Sequence, residues 1–410
     1  MEKTDMNSLS SVPITPALTP RRRVELSLNH QAPDRIPTDF FATPEVWDNL
    51  ASAFGIEKTG TDDGNYFEES REKVLRRLAI DCRVISYDMF INPPAAMLTP
   101  GAVVDWWGSL NRSTPNRMWR QKLPDDTAKD VWGRCSGPVQ NAFGAYEEII
   151  YNPLYNISSL EDLKRFPWPT PDWWDFTGLP GLIEQYDRLD QYHLRFRVGS
   201  VFEVAWQLRG MEAFLIDLVT QPQFSEYIMD RLTEVYVANL RSVLELASER
   251  IDMIYIYDDV ATQNSLLLSK KAWTQSIRPR HAKIFELARQ YGKQIMYHCD
   301  GAISFLLPEL LDMGVTAITP VQVDAKGMQP ELLKEKFGNR LSFHGGIDII
   351  GTLRKGKPDE VAAEVQDRVR VLGQGGGYIL ASSHHIQPDT PVENIHAMYD
   401  LNLRYEKERN

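Results

Sequence analysis

From about residue 190 the chain alternates short apolar runs with longer amphipathic stretches. Leu194–Gly199, Asp252–Tyr257, Gln294–Tyr297, Val315–Thr319, Leu341–His344 and Gly377–Ala381 read as buried strands. Between them Val204–Leu218, Phe224–Arg250, Lys270–Tyr291, Ala302–Met313, Met328–Phe337 and Pro358–Leu372 read as helices. Two earlier strand candidates, Ile36–Phe41 and Cys82–Asp88, are separated by helical Pro44–Phe54 and Tyr66–Leu78. Strands that alternate with helices in this way predict an α/β fold, a single (β/α)₈ barrel of the TIM type. A doubly wound open sheet is the competing arrangement. No Gly-x-Gly-x-x-Gly follows a strand, and Gly375-Gly376-Gly377 precedes one, so it reads as a turn.

Between about residues 89 and 190 the rhythm changes. Prolines are frequent, and Trp106, Trp107, Trp119, Trp132, Trp168, Trp173 and Trp174 fall here. Alternating runs such as Gly101–Trp107 and Glu148–Tyr151 suggest short antiparallel strands. This reads as a Trp-rich insertion after the second strand, at about 89–190, within a barrel domain of 19–410. A local aromatic core is the simplest use of those rings. Trp107 is retained as a candidate wall of a substrate pocket. Residues 1–18 are rich in Ser, Thr and Pro and read as a flexible tail.

The totals narrow the function. A net charge of −11 argues against non-specific nucleic-acid binding. No apolar run approaches a membrane span. Three cysteines, Cys82, Cys135 and Cys299, make no disulfide framework and point to a reducing cytoplasm. Arg21-Arg22-Arg23 reads as a solvated face.

Candidate chemistry gathers where the predicted strands end: Asp258-Asp259, His298-Cys299-Asp300, Gln322, His344 with Asp348, and His384-His385. In a barrel these positions share one mouth. Alternation sends His298 and Asp300 one way and Cys299 the other. Two histidines and a carboxylate suit zinc or another divalent metal, so His298, Asp300 and His384 are the expected ligands, with Cys299 as an alternative. Asp258, Asp259 and Asp348 are the expected catalytic carboxylates. Gln322, His344 and His385 are expected to touch substrate.

The ordered set of motifs resembles the uroporphyrinogen decarboxylase superfamily. It comprises Thr19-Pro20-Arg21-Arg22-Arg23-Val24, Pro33-Asp34-Arg35-Ile36-Pro37, Tyr257-Asp258-Asp259, His298-Cys299-Asp300-Gly301, His344-Gly345-Gly346-Ile347-Asp348 and the run from His384 to Pro391. The resemblance implies a (β/α)₈ barrel with its pocket at the carboxyl ends of the strands. It also implies one of two chemistries. One branch decarboxylates uroporphyrinogen without a cofactor. The other comprises methyltransferases that work with corrinoid proteins and hold zinc through a His-x-Cys motif and a later Cys. The decarboxylase arginine pair is missing here, its place taken by Asp39-Phe40-Phe41-Ala42-Thr43-Pro44. A substrate with many carboxylates needs such cations. Against the methyltransferases, Asp300 and His384 stand where cysteines are expected. That harder donor set favours polarising an ether oxygen over activating a thiol. The expectation is a metal-dependent methyltransferase moving a methyl group from an O-methyl or similar donor to a corrinoid protein, in a possible homodimer. The alternative is a cofactor-free decarboxylase of a uroporphyrinogen-like or smaller carboxylated substrate.

Overall fold

The computed structural model describes residues 18–57, 69–100, 103–106, 119–123, 125, 127–141 and 144–409. The expected tail and Trp107 therefore lie outside the described residues, the tail but for Leu18.

Seven parallel strands form one curled sheet. They are β1 (Cys82–Ser86), β7 (His193–Arg197), β8 (Met253–Tyr257), β9 (Gln294–His298), β10 (Ala317–Val321), β11 (Ser342–Ile347) and β12 (Tyr378–Ser382), paired in that order. Their residues are almost all buried, as expected of a parallel sheet covered by helices. The run expected as the first strand, 36–41, is not a regular strand. It makes a single parallel bridge from Thr38 to Leu380, and Ala42, just past it, makes another to Ile386. Leu380 N donates to Pro37 O, and Asp81 N donates to Thr38 O, so this segment lies between β12 and the start of β1. Pro37 has no N–H to give a ladder, which limits the pairing.

Between β1 and β7 the chain builds a second sheet. β2 (Val103–Trp106), β3 (Trp119–Lys122), β4 (Ala128–Lys129), β5 (Cys135–Asn141) and β6 (Gly144–Tyr151) pair antiparallel in chain order. Trp132 and Trp174 pack ring to ring at 5.8 Å, and Trp168 and Trp173 are buried too. Those four rings are core, and Trp132 also meets a cavity described below.

Two readings of the sequence need correction. The single helix expected over 204–218 is two, Phe202–Arg209 and Met211–Thr220. Gly210 breaks it at φ +87°, where a Cβ would sit 2.9 Å from the Tyr155 ring. The arginine run is not a solvated face. Arg23 is 2% exposed and bonds Asp34 and Asp81; Arg21 bonds Asp252 and Asp190. Asp81 also receives Arg35 and the Thr38 N–H. The first helix (Pro20–Leu28) is thereby fastened under the amino ends of the strands, its buried charges paired as burial demands.

Candidate metal centre

β8 and β9 are neighbours, with Tyr257 opposite His298. Asp259, just past β8, therefore stands beside His298 and Asp300 at the end of β9. One ligand atom from each of Asp259, His298 and Asp300 lies within 4.8 Å of the others. His298 Nε2 is 3.8 Å from Asp259 Oδ1 and 4.0 Å from Asp300 Oδ1. Asp300 N donates to Asp259 Oδ1 at 2.8 Å, so the backbone joins the two carboxylates. Gly301 follows at φ +87° with its α-carbon against Thr262; a Cβ would lie 2.4 Å from Thr262 O. Only glycine allows the chain to turn there and leave Asp300 facing the cluster. Gln322 Oε1 accepts from Gly301 N at 2.8 Å and holds the same turn.

This trio differs from the expected ligand set in one member. His384 Nε2 lies 3.1 Å from Asp300 Oδ2, on the far oxygen, and is not in the compact group. His384, which follows β12, reaches Asp300 across the carboxyl end of the sheet but has no ligand atom within 4.8 Å of all three others. Asp259, expected as a catalytic carboxylate, is the third member of this group.

Burial penalises charge at the cluster, and the partners then decide each group. Burial and the Asp300 charge hold the Asp259 carboxyl above its usual range, against the pull of His298. Asp300 is pushed up by burial but brought below its usual range by His384 and His298. His384 is opposed by burial yet raised overall by Asp300. His298 is lowered, burial outweighing the two carboxylates. A neutral imidazole between acidic groups is the form that ligates a cation.

The remaining predicted residues divide. Asp258 is fully buried and accepts from Ser200 Oγ, from the N–H groups of Val201, Phe202 and Glu203, and pairs with His281 Nε2 at 2.6 Å. It caps the helix 202–209 and is not the mouth carboxylate it was expected to be. Asp348 accepts from Ile350 N at 2.8 Å and Gly351 N at 3.1 Å, which makes it a turn aspartate. Cys299, the expected alternative ligand, is wholly buried in the core, its sulfur accepting from Val260 N and its thiol pushed well up by burial, and it is not in the compact group. His344 is buried between Asp39 Oδ2 and Thr319 Oγ1, each at 2.8 Å. With His298 and His385 it lines a cavity of about 60 Å³ inside the sheet, walled also by Phe41 and Arg195.

Four residues escaped the sequence reading. Asp39 joins Arg195 and His344 in a buried network. Arg197, the last residue of β7, pairs with Asp88 at 2.8 Å. Glu203 lies in the first turn after Ser200, and burial together with Asp259 and Asp258 raises it to about 8. A strand ending at Gly199-Ser200 is the signal that placed Arg197 and Glu203 at the mouth. Nothing in the local pattern marked Asp39.

The chain resembles known proteins in both sequence and fold. Residues 187–405 match the model of the uroporphyrinogen decarboxylase (URO-D) family. A methylcobamide:CoM methyltransferase, MtaA, of Methanosarcina barkeri is 26% identical over 215 residues, 50% of this chain and 59% of that protein. A methylated-thiol–coenzyme M methyltransferase of Methanosarcina mazei is 24% identical over 196 residues, 48% of this chain and 49% of that protein. The match thus spans between about half and three-fifths of the length of these curated relatives. A solved methyltransferase from Methanosarcina mazei shares the fold with TM-score 0.60 at 17% identity, over 95% of this chain and 100% of that one. No helix among the described residues is long and apolar enough to cross a membrane. With the family model covering more than half of its length, the chain belongs to the uroporphyrinogen decarboxylase family.

Proposed function

We propose that the protein is a metal-dependent methyltransferase that moves a methyl group from an O-methyl donor to a corrinoid carried by a partner protein. We read the fold as a closed (β/α)₈ barrel whose first stave is the irregular segment 36–42, with an insertion between the second and third staves. The observation that carries the function is the compact trio Asp259, His298 and Asp300. A divalent cation fits it, because Asp300 Oδ1 is buried and accepts no hydrogen bond. An oxygen in that condition is stable when a cation satisfies it. One imidazole and two carboxylates suit zinc or another borderline or hard divalent metal.

Bound metal supplies Lewis acidity at the donor oxygen, and the corrinoid supplies the electron pair that accepts the methyl group. The chain's own residues do the rest. His384, on Asp300 Oδ2, fixes the orientation of that carboxylate and leaves Oδ1 turned toward His298. Burial, ahead of the Asp259 and Asp258 charges, favours the protonated form of Glu203. Its Oε1 accepts from Gln207 Nε2 at 2.9 Å, which leaves Oε2 to carry that proton for the oxygen that loses its methyl group. Similarity to two coenzyme M methyltransferases supports the reaction class; the oxygen donor rests on Asp300 and His384 standing where a thiol-activating site uses sulfur.

The test is metal content by elemental mass spectrometry on tag-free wild type, His298→Ala and Asp259→Ala. Roughly one equivalent of divalent metal is expected in wild type and none in either variant. Equal metal in wild type and His298→Ala after chelation and reconstitution would sink the reading. A metal-free protein that releases carbon dioxide from a carboxylated pyrrole would put the decarboxylase in its place.

A further inference from the structure

A cavity of about 370 Å³ lies between the antiparallel sheet and the carboxyl ends of β7 and β8. Its position ties it to the metal centre. Arg197 closes β7, and Tyr257, the strand partner of His298, closes β8; both line the cavity. A second tie runs through Gln207. Its side-chain oxygen accepts from Arg134, which lines the cavity, and its amide nitrogen donates to Glu203, whose backbone N–H bonds Asp258, the residue before Asp259.

Three rings face this space: Tyr87, Trp132 and Tyr257. Flat walls of this kind reward a flat ligand, since ring contacts add to the burial of apolar area. The volume is at the small end of cavities that enclose a ligand, enough for one ring and its substituents.

The charged lining sets the ligand's charge. Arg120, Arg134 and Arg197 are matched by Asp88, Asp130 and Glu148, so the wall is formally neutral. An octa-anionic tetrapyrrole would bring charges with nothing to compensate them. A single oxyanion is a different matter. Arg134 is fixed by Asp130 at 2.6 Å, and Arg197 by Ser86 Oγ at 2.7 Å and Asp88 at 2.8 Å. Guanidinium groups held in place offer an acceptor oxygen pre-oriented donors, with little entropy left to lose.

We propose that this cavity binds the donor's leaving portion, a single aromatic ring bearing one carboxylate or phenolate, of the methoxybenzoate kind. The proposal rests on the methyltransferase reading and names its substrate class. It also gives the antiparallel sheet a use, as the outer wall of the substrate site. The ring lies among Tyr87, Trp132 and Tyr257, its oxyanion on an arginine edge, and its methoxy group points past Tyr257 toward His298.

Calorimetric titration with 4-methoxybenzoate, without any corrinoid, tests this directly. The expected result is saturable binding at about one site per chain. Methoxybenzene, lacking the anion, and cyclohexanecarboxylate, lacking the flat ring, should each bind at least about tenfold more weakly. Ser136→Trp fills the cavity from β5 and should abolish binding while circular dichroism and metal content stay at wild-type values. Arg197→Gln should weaken 4-methoxybenzoate but not methoxybenzene. No saturation by 4-methoxybenzoate in a metal-loaded protein would overturn the proposal and leave the metal reading standing. Undiminished binding in Ser136→Trp would place the ligand elsewhere and overturn it as well. Equal affinity for methoxybenzene would remove the oxyanion from the claim. Binding of the arene by a protein that never takes up metal would have the opposite meaning, failing the function and keeping the cavity.

Discussion

Two adjacent aspartates leave the end of β8 and meet different fates. Asp258 turns outward beneath the helix 202–209, where Ser200, three backbone N–H groups and His281 satisfy it completely. Asp259 turns to the mouth, where His298 and Asp300 stand near it but one buried oxygen of Asp300 accepts no hydrogen bond. Both clusters contain histidine and carboxylate; the Asp258 pair is fully buried, while the Asp259 side chain at the mouth is 36% exposed. What separates them is saturation. A buried anion whose bonds are all made within the chain is structural, while a buried group of donors left short of partners is built for something that arrives.

The comparison breaks most visibly at its structural half. Asp258→Ala should cost about 3–5 kcal/mol, because it leaves His281 and the first turn of a buried helix without their acceptor. Urea unfolding followed by circular dichroism reads this. A loss under about 1 kcal/mol would mean that water or a shifted side chain replaces the carboxylate, and the saturation argument would fail.

An orphan polar atom does not by itself make a site, and His193 sharpens that limit. Its ring is 1% exposed with neither nitrogen hydrogen-bonded, and among the described residues no compact group of ligands includes it. Burial, helped by the Arg195 charge, lowers it from 6.5 to about 3. The sign follows from linkage. The unfolded chain takes a proton near pH 6.5 and the folded one only near 3, so stability falls as pH drops through that window, by roughly 1.4 kcal/mol per unit. At pH 4.5 His193→Leu should therefore outlast wild type by roughly 2–3 kcal/mol beyond any difference at pH 7. Parallel denaturation curves at the two pH values would contradict this.

The open half of the comparison breaks at His298. His298→Ala should keep its fold and lose metal affinity at least about tenfold, the scale at which a ligand or its support is felt. Competition with a chelating dye measures it.

Which half each residue belongs to was only partly written in the sequence. Period and apolar runs located all seven strands of the parallel sheet to within a few residues, because a strand buried on both faces leaves a strong local trace. Alternation also separated Cys299 from its two neighbours. Asp258 and Asp259 were indistinguishable, since their difference lies in Ser200 and His281, both far along the chain. His384 entered the ligand set from its place at the end of the last strand, and it does meet Asp300; which Asp300 oxygen it meets is visible only once the sheet is assembled. Arg23 looked like surface because its partner Asp81 is 58 residues away. Contacts made across the sheet leave no mark on the local pattern, so fold was more legible than site.

The smallest effect concerns Gln322, which was expected to touch substrate and which grips the turn that presents Asp300. Its oxygen accepts from Gly301 N, one residue beyond the candidate ligand. Gln322→Ala should cost only about 0.5–1.5 kcal/mol of stability, the usual worth of one hydrogen bond. Its effect on the cluster depends on what else fixes the turn. Gly301 is already pressed against Thr262, and Asp300 N is already held by Asp259. If those two contacts suffice, metal affinity stays at the wild-type level while stability falls. If the Gln322 bond is needed to aim Asp300, metal affinity drops as well, by up to about tenfold. The crowding at Thr262 leaves the Gly301 backbone little room to move, so the first outcome is expected. A large loss of metal in Gln322→Ala would show that the centre is preorganised from β10 as well as from β8 and β9.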